Sequence, residues 1–231
     1  MIKPEQKAVT STPPDACRIL LVDDHAIVRR GLTTLLSQQP GFSICGAVGA
    51  YEEALSAAAA QQPDLAIVDL TLGDHNGLDL IRALRALAHP PEVLVLSMHD
   101  EEVYAERALR AGARGYVMKE QADEKICEAV RTVRTGRIYA SPALAQRLMA
   151  RLAEPSAAAP ATGVGRLTDR EMDVFVRIGR GKSTREIADE LDLGARTVET
   201  HRAHIKQKLA CDSAAQLVRL AVRHVEGGAV V

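Results

Sequence analysis

Arg18-Ile-Leu-Leu-Val22 runs straight into Asp23 and Asp24, and the pattern recurs along the first half of the chain. Leu65-Ala-Ile-Val68 leads into Asp69, Val93-Leu-Val-Leu96 into Ser97, and Tyr116-Val-Met118 into Lys119. Short apolar runs bounded by polar residues read as strands buried on both faces, which is the habit of parallel sheets. If these runs share one such sheet, three carboxylates, a hydroxyl and an ammonium gather at one edge. Open α/β sheets place their sites in the crevice outside the carboxyl ends of the strands.

Helical patterns fill the spaces between the runs. Residues 26–37 carry Ile27, Leu32, Leu35 and Leu36 at helical spacing, and residues 42–48 read as a further short strand. The Ala-rich segment 52–61 is helical and stops before Pro63. After Asp69 comes a Gly-containing loop, then a helix near 78–87 ended by Pro90-Pro91. A helix over 101–111 has Gly112 where a C′ glycine is expected, and 122–134 is the last helix of the unit. Strand and helix alternate five times, which predicts an α/β fold: a doubly wound, five-stranded parallel sheet.

The composition sets bounds on the rest. The chain has 231 residues, 47% apolar and 26% charged, with a net charge of -1, so it is not a basic nucleic-acid binder taken whole. The charge is unevenly spread. Residues 1–165 carry 17 Lys and Arg against 20 Asp and Glu, and residues 166–231 carry 12 against 10. A mildly basic module beside an acidic one suits two different partners. Cys17, Cys45, Cys127 and Cys211 show no paired spacing and read as small buried hydrophobes in a reducing compartment. Residues 1–16 are polar and Pro-containing, with no apolar core after them, so they read as a disordered tail and not a signal peptide. No stretch reaches the roughly 18 apolar residues of a membrane span, and a cytoplasmic location without membrane contact is expected.

The acidic edge has a chemistry of its own. Three carboxylates and one lysine leave an excess of negative charge that a divalent cation would neutralise. Oxygen ligands with room for water suit Mg2+. Mg2+ and Lys119 together would stabilise the oxygens of a phosphoryl group in transfer. Asp69, alone on its strand, is the natural acceptor, because a carboxylate can take a phosphoryl group covalently.

The strings LLVDDH (20–25), AIVDLTLGDHNGLDLI (66–81), LVLSMHD (94–100) and AGARGYVMK (111–119) resemble the receiver domain of bacterial two-component response regulators. The resemblance covers residues 18–135 and implies a flavodoxin-like receiver over 17–136. It implies that Asp69 is the phosphoacceptor and that Asp24, Asp69 and the backbone carbonyl of Thr71 ligate Mg2+, with Asp23 assisting. It further implies that Lys119 pairs with the phosphoryl group, that Ser97 hydrogen-bonds one of its oxygens, and that Tyr116 moves inward behind Ser97. The family usually has Pro four residues after the acceptor. Here that position is Gly73, which frees the backbone.

Beyond the receiver-like segment, residues 137–166 read as a linker. It includes a helix near 142–152 and a Pro/Ala/Gly-rich stretch over 154–165. From Leu167 the pattern is all-helical. Thr168 with Glu171, and Ser183 with Glu186, form two capping-box patterns. Helices over 184–191 and 195–209, separated by a short turn containing Gly194, have helix-turn-helix spacing. The second carries Arg196, Arg202, Lys206 and Lys208 against one acid, Glu199, with Val198, Ile205 and Leu209 expected to face inward. Such a helix can enter a major groove.

LTDREMDVFVRIGRGKSTREIADELDLGARTVETHRAHIKQKL (167–209) resembles the LuxR-type DNA-binding domain, a small all-α unit of four helices expected over 167–231. Joined to the receiver, the chain resembles a NarL/FixJ-type response regulator. That resemblance implies a transcription factor that takes a phosphoryl group from a sensor histidine kinase onto its own Asp69, without being an enzyme in the ordinary sense. It also implies binding to double-stranded promoter DNA, as a homodimer when active. Glu199, Thr200 and Arg202 would reach the major groove, with Thr197, Lys206 and Lys208 nearer the phosphate backbone. Two departures stand out: Gly194-Ala195 replaces the usual Ser-Pro, and Asp212 lies where a basic residue is common.

Overall fold

The apolar runs form one parallel sheet. In the structure, a computed structural model that describes residues 16–73, 75–99, 101–153 and 163–225, its strands are β1 (Cys17–Val22), β2 (Phe42–Val48), β3 (Leu65–Val68), β6 (Glu92–Ser97) and β7 (Gly115–Met118). The order is β2-β1-β3-β6-β7, and all neighbours run parallel. This is the flavodoxin-like winding, with its switch point between β1 and β3. All but the final residue of the expected tail, and residues 154–162 of the expected linker, lie outside the described residues.

Helices α1 (Ala26–Ser37), α2 (Tyr51–Gln61), α3 (Gly77–Arg85), α4 (Glu101–Ala111) and α5 (Ala122–Arg134) connect the strands. Alternate strand residues point to opposite faces. Ile19, Leu21, Ile67, Leu94, Leu96 and Val117 therefore form one buried layer with Leu32 and Leu36 of α1 and Ile126, Val130 and Val133 of α5. Strands buried on both faces need continuous apolar runs, which is why the runs were legible. Gly112 ends α4 at φ +112°.

Three features depart from the sequence reading. The loop after Asp69 contains a small antiparallel hairpin, β4 (Thr71–Leu72) with β5 (His75–Asn76). Gly73 supplies its turn at φ +56°, and the rings of His75 and Tyr51 stack 5.1 Å apart. α3 begins at Gly77, capped by the Asn76 side chain accepting from the Leu78 N–H, and ends at Arg85 before the expected 87. The first compact unit runs on to Ala150, past the expected boundary at 136. Tyr139 bridges to Gly115, the Tyr139 N–H donates to the Arg114 carbonyl, and the Ser141 hydroxyl donates to Glu101 at 2.6 Å. Ser141 also accepts from the Leu144 N–H at the start of α6 (Pro142–Ala153).

The second unit, from Arg151, contains α7 (Asp169–Gly179), α8 (Thr184–Glu190), α9 (Ala195–Lys208) and α10 (Ala214–Val225). Both capping boxes form, on Thr168 with Glu171 and on Ser183 with Glu186. Val174, Phe175, Ile187, Val198, Ile205, Leu217 and Ala221 are buried, with α7 packed against α9 and α10 and α8 against α9. α9 forms on a Gly194 N-cap without a side-chain cap bond. Glycine there is only a few tenths of a kcal/mol worse than serine.

Candidate functional site

The register of the sheet brings the polar strand ends together. Val22 pairs with Val68, Val68 with Val95, and Ser97 with Met118, so the residues that follow emerge side by side. Asp23 and Asp69 are each 3% exposed and Ser97 is fully buried. Lys119 Nζ lies 2.7 Å from Asp69 Oδ2 and 2.7 Å from Asp23 Oδ2. Burial pushes the Asp69 carboxyl above its ordinary value, Lys119 pulls it part of the way back, and Asp23 adds to the rise. Burial also works against the charge on Lys119. The attraction of Asp69 and Asp23 outweighs it and holds the ammonium above its ordinary value.

One lysine cannot neutralise this cluster. Asp69 Oδ1 is buried and accepts no hydrogen bond of good geometry among the described residues. A buried, unpaired carboxylate oxygen is costly and asks for a partner. Ligand atoms of Asp23, Asp24, His25 and Asp69 all lie within 4.8 Å of one another. An oxygen-rich set in which Asp24 Oδ1, like Asp69 Oδ1, accepts no well-formed hydrogen bond among the described residues fits a hard divalent cation. His25 was not anticipated as a member. Its Nδ1 lies 2.6 Å from Asp24 Oδ1 and 3.2 Å from Asp23 Oδ1, a contact that sequence shows only as a neighbour of two acids.

The loop after Asp69 is fastened by glycines. The Gly73 N–H donates to Asp24 Oδ2 at 3.1 Å, a bond that proline could not make and a φ that it could not adopt. The Gly77 N–H donates to the Leu70 carbonyl, and a Cβ on Gly77 would sit 2.4 Å from the Asp69 carbonyl oxygen. Only glycine lets α3 start this close behind the acidic residue.

The expected switch residues are linked through His99. The His99 N–H donates to Ser97 Oγ at 3.2 Å, and the Tyr116 hydroxyl donates to the His99 carbonyl at 2.8 Å. Tyr116 is 1% exposed and stands inward. Half-buried Thr71 places its Oγ1 2.9 Å from His99 Nε2.

In the second unit the outward ridge of α9 carries Arg196, Thr200, Ala203 and Gln207, with Glu199 and His204 beside it, all exposed. Val198 and Ile205 point the opposite way and are buried. Arg202, expected in the major groove, lies off this ridge. Its side chain is 20% exposed, with Nε 3.8 Å from Glu199 Oε1. Glu199 Oε1 also accepts from the Thr184 hydroxyl at 2.6 Å. Thr197 is exposed and Lys206 half-buried. Lys208, expected at the phosphate backbone, holds Glu171 Oε2 at 2.6 Å. Although burial raises the Glu171 carboxyl, its bonds to Lys208 and Thr168 bring it below its ordinary value. Arg196, Ala203 and Gln207 were missed as ridge residues because a 3.6-residue period does not say which polar flank is outermost.

Comparison with known proteins accounts for both units. Residues 19–131 match the family model of the response regulator receiver domain, and residues 165–221 match that of the bacterial regulatory proteins of the luxR family. The transcriptional regulatory protein UhpA of Salmonella typhimurium is 34% identical over 200 residues, which cover 86% of this chain and 94% of UhpA. The crystal structure of a LuxR-family two-component response regulator from Aurantimonas sp. SI85-9A1 aligns with a TM-score of 0.55 at 32% identity, covering 60% of this chain and 99% of that one. The structure of the two-component response regulator RcsB–DNA complex aligns with a TM-score of 0.53, covering 91% of this chain and 99% of that one. At 21% identity that likeness speaks to the fold.

Proposed function

The chain belongs to the response regulators that join a receiver domain to a LuxR-type DNA-binding domain, and from that premise we propose that Asp69 is its phosphoacceptor. The observation that carries the assignment is the unequal pair of oxygens on Asp69. Oδ2 is held by Lys119, whereas buried Oδ1 accepts no well-formed hydrogen bond. The Asp69 carboxylate is the nucleophile. Its lone pair forms the new O–P bond as the P–N bond to a phosphohistidine of a sensor kinase breaks, and the imidazole leaves with that electron pair. Lys119 balances the charge on the phosphoryl oxygens, and Ser97 donates its hydroxyl to one of them. Asp23, Asp24, Asp69 and the Thr71 carbonyl would hold Mg2+, which when bound supplies positive charge to phosphoryl oxygens in transfer.

The acceptor's new charge is read out at DNA by α9. The outward ridge of Arg196, Thr200, Ala203 and Gln207, flanked by Glu199 and His204, is the surface offered to the major groove, with Thr197 and Lys206 toward the phosphates. The active form is a homodimer on paired half-sites, and its place of action is the cytoplasm, with the DNA. Among the described residues no helix is long and apolar enough to cross a membrane.

Asp69→Asn tests the acceptor. Incubation of the full chain with Mg2+ and a small-molecule phosphodonor is expected to label the wild type on the peptide containing Asp69 and to leave Asp69→Asn unlabelled. Equal labelling of both, or a label on another residue, would remove Asp69 from the role.

A further inference from the structure

We infer that His99 is a positioning residue that holds the Thr71 loop and Ser97 in one arrangement, and so sets how well the site takes its cation. The inference rests on the reading of Asp23, Asp24, Asp69 and Thr71 as the divalent-cation site. His99 meets groups on β6, on β7 and on the loop after β3. Its ring nitrogen Nε2 is tied to Thr71 Oγ1 on the loop after β3, its N–H to Ser97 Oγ at the end of β6, and its carbonyl to the Tyr116 hydroxyl on β7. The imidazole is set against the Tyr104 ring of α4, with centroids 4.7 Å apart.

Two of these ties bear on the cation and the phosphoryl group. Ser97 Oγ accepts from the His99 N–H, which leaves the serine's own proton free to be donated elsewhere. Thr71 lies two residues after Asp69, on a loop that Gly73 and Gly77 fasten through Asp24 and Leu70. The Thr71–His99 bond ties that loop to the β6–α4 connection as well. A cation ligand drawn from the loop is then held at a fixed place by a partner that does not itself touch the cation. Partners of this kind, removed, typically cost 10–100-fold in metal affinity.

The test uses the unphosphorylated full chain and Mg2+ alone, followed by calorimetry. His99→Phe keeps a ring for Tyr104 but removes the bond to Thr71, and it is expected to weaken Mg2+ binding about tenfold. Thr71→Val attacks the same bond from the other side and is expected to weaken it to a similar degree. The double variant should lose no more than either single one, because both remove one interaction. His99→Gln and Thr71→Ser restore a hydrogen-bonding pair and are expected to bind within about threefold of wild type, which loss of packing alone would not produce. Wild-type affinity in His99→Phe, or losses that add in the double variant, would overturn the inference while leaving the cation site standing. A wild-type chain that binds no Mg2+ overturns the cation site and this inference with it.

Discussion

Lys119 is the residue on which the stability of the acidic edge turns. It sits between two buried carboxylates, and its removal leaves Asp23 and Asp69 facing each other without a counter-charge. Breaking one partner out of a buried ion pair costs about 3–5 kcal/mol. Lys119→Met is therefore expected to lower the melting temperature of the chain in metal-free buffer. Mg2+ should then raise it by more in the variant than in the wild type, since a cation bound to the folded form alone stabilises by mass action. Thermal melts with and without Mg2+ measure both effects. A variant as stable as wild type in metal-free buffer would show that Lys119 is not what offsets the carboxylates.

Other residues at this scale were hidden from the sequence. Asp23, Asp24, Asp69, Ser97 and Lys119 were legible because each ends an apolar run. His25, His99 and Gly77 end no run and fall on no period. His25 earns its place by lying beside two acids in space, His99 by bonds that reach from Thr71 to Tyr116, and Gly77 by the backbone packed behind it. Tertiary proximity of this kind leaves no mark on local pattern.

At the level of elements, the five sheet strands and the helices between them followed from apolar period, and both capping boxes from their spacing. β4 and β5 did not, because two-residue strands have no period and depend on Gly73 at positive φ to turn. Residues 139–150 did not read as part of the first unit either. Their attachment comes from a backbone bridge to Gly115, the Ser141–Glu101 bond, buried Leu144 and the packing of Tyr139 on the core, contacts too few and too irregularly spaced to show as a period.

α9 yields a prediction that separates its basic residues. A side chain that neutralises one DNA phosphate contributes about one to the log–log slope of binding against salt. Arg196, exposed on the ridge, is expected to neutralise about one phosphate, so Arg196→Ala should make the slope shallower by about one. Lys208 is already engaged with Glu171, so Lys208→Ala should leave the slope unchanged. Titration of duplex DNA over a salt series decides the matter. An unchanged slope in Arg196→Ala together with a reduced one in Lys208→Ala would place the DNA-facing side of α9 elsewhere.

For the whole molecule, the proposed function requires that a charge created on Asp69 change how the second unit binds DNA. A single helix-turn-helix unit offers a small interface, and two of them on paired half-sites can multiply affinity by about 10²–10⁴ with the same side chains, if the geometry lets both engage at once. Phosphorylation that favours the dimer therefore needs no change in α9 itself. A nearly complete shift between two states takes about 5.5 kcal/mol of differential stabilisation; under the proposed function, phosphoryl bonds to Lys119 and Ser97 and dimer formation both contribute to it.

The most direct test joins the two units in one measurement. DNA fragments bound by the full chain are selected from a random pool, and affinity for the selected site is measured with Mg2+ present, before and after treatment with a small-molecule phosphodonor, in wild type and in Asp69→Asn. Binding is expected to be at least about tenfold tighter after treatment in the wild type, from the avidity of paired sites, and unchanged in Asp69→Asn. Wild-type affinity that ignores the phosphodonor, or an Asp69→Asn chain that responds as the wild type does, would contradict the proposed function.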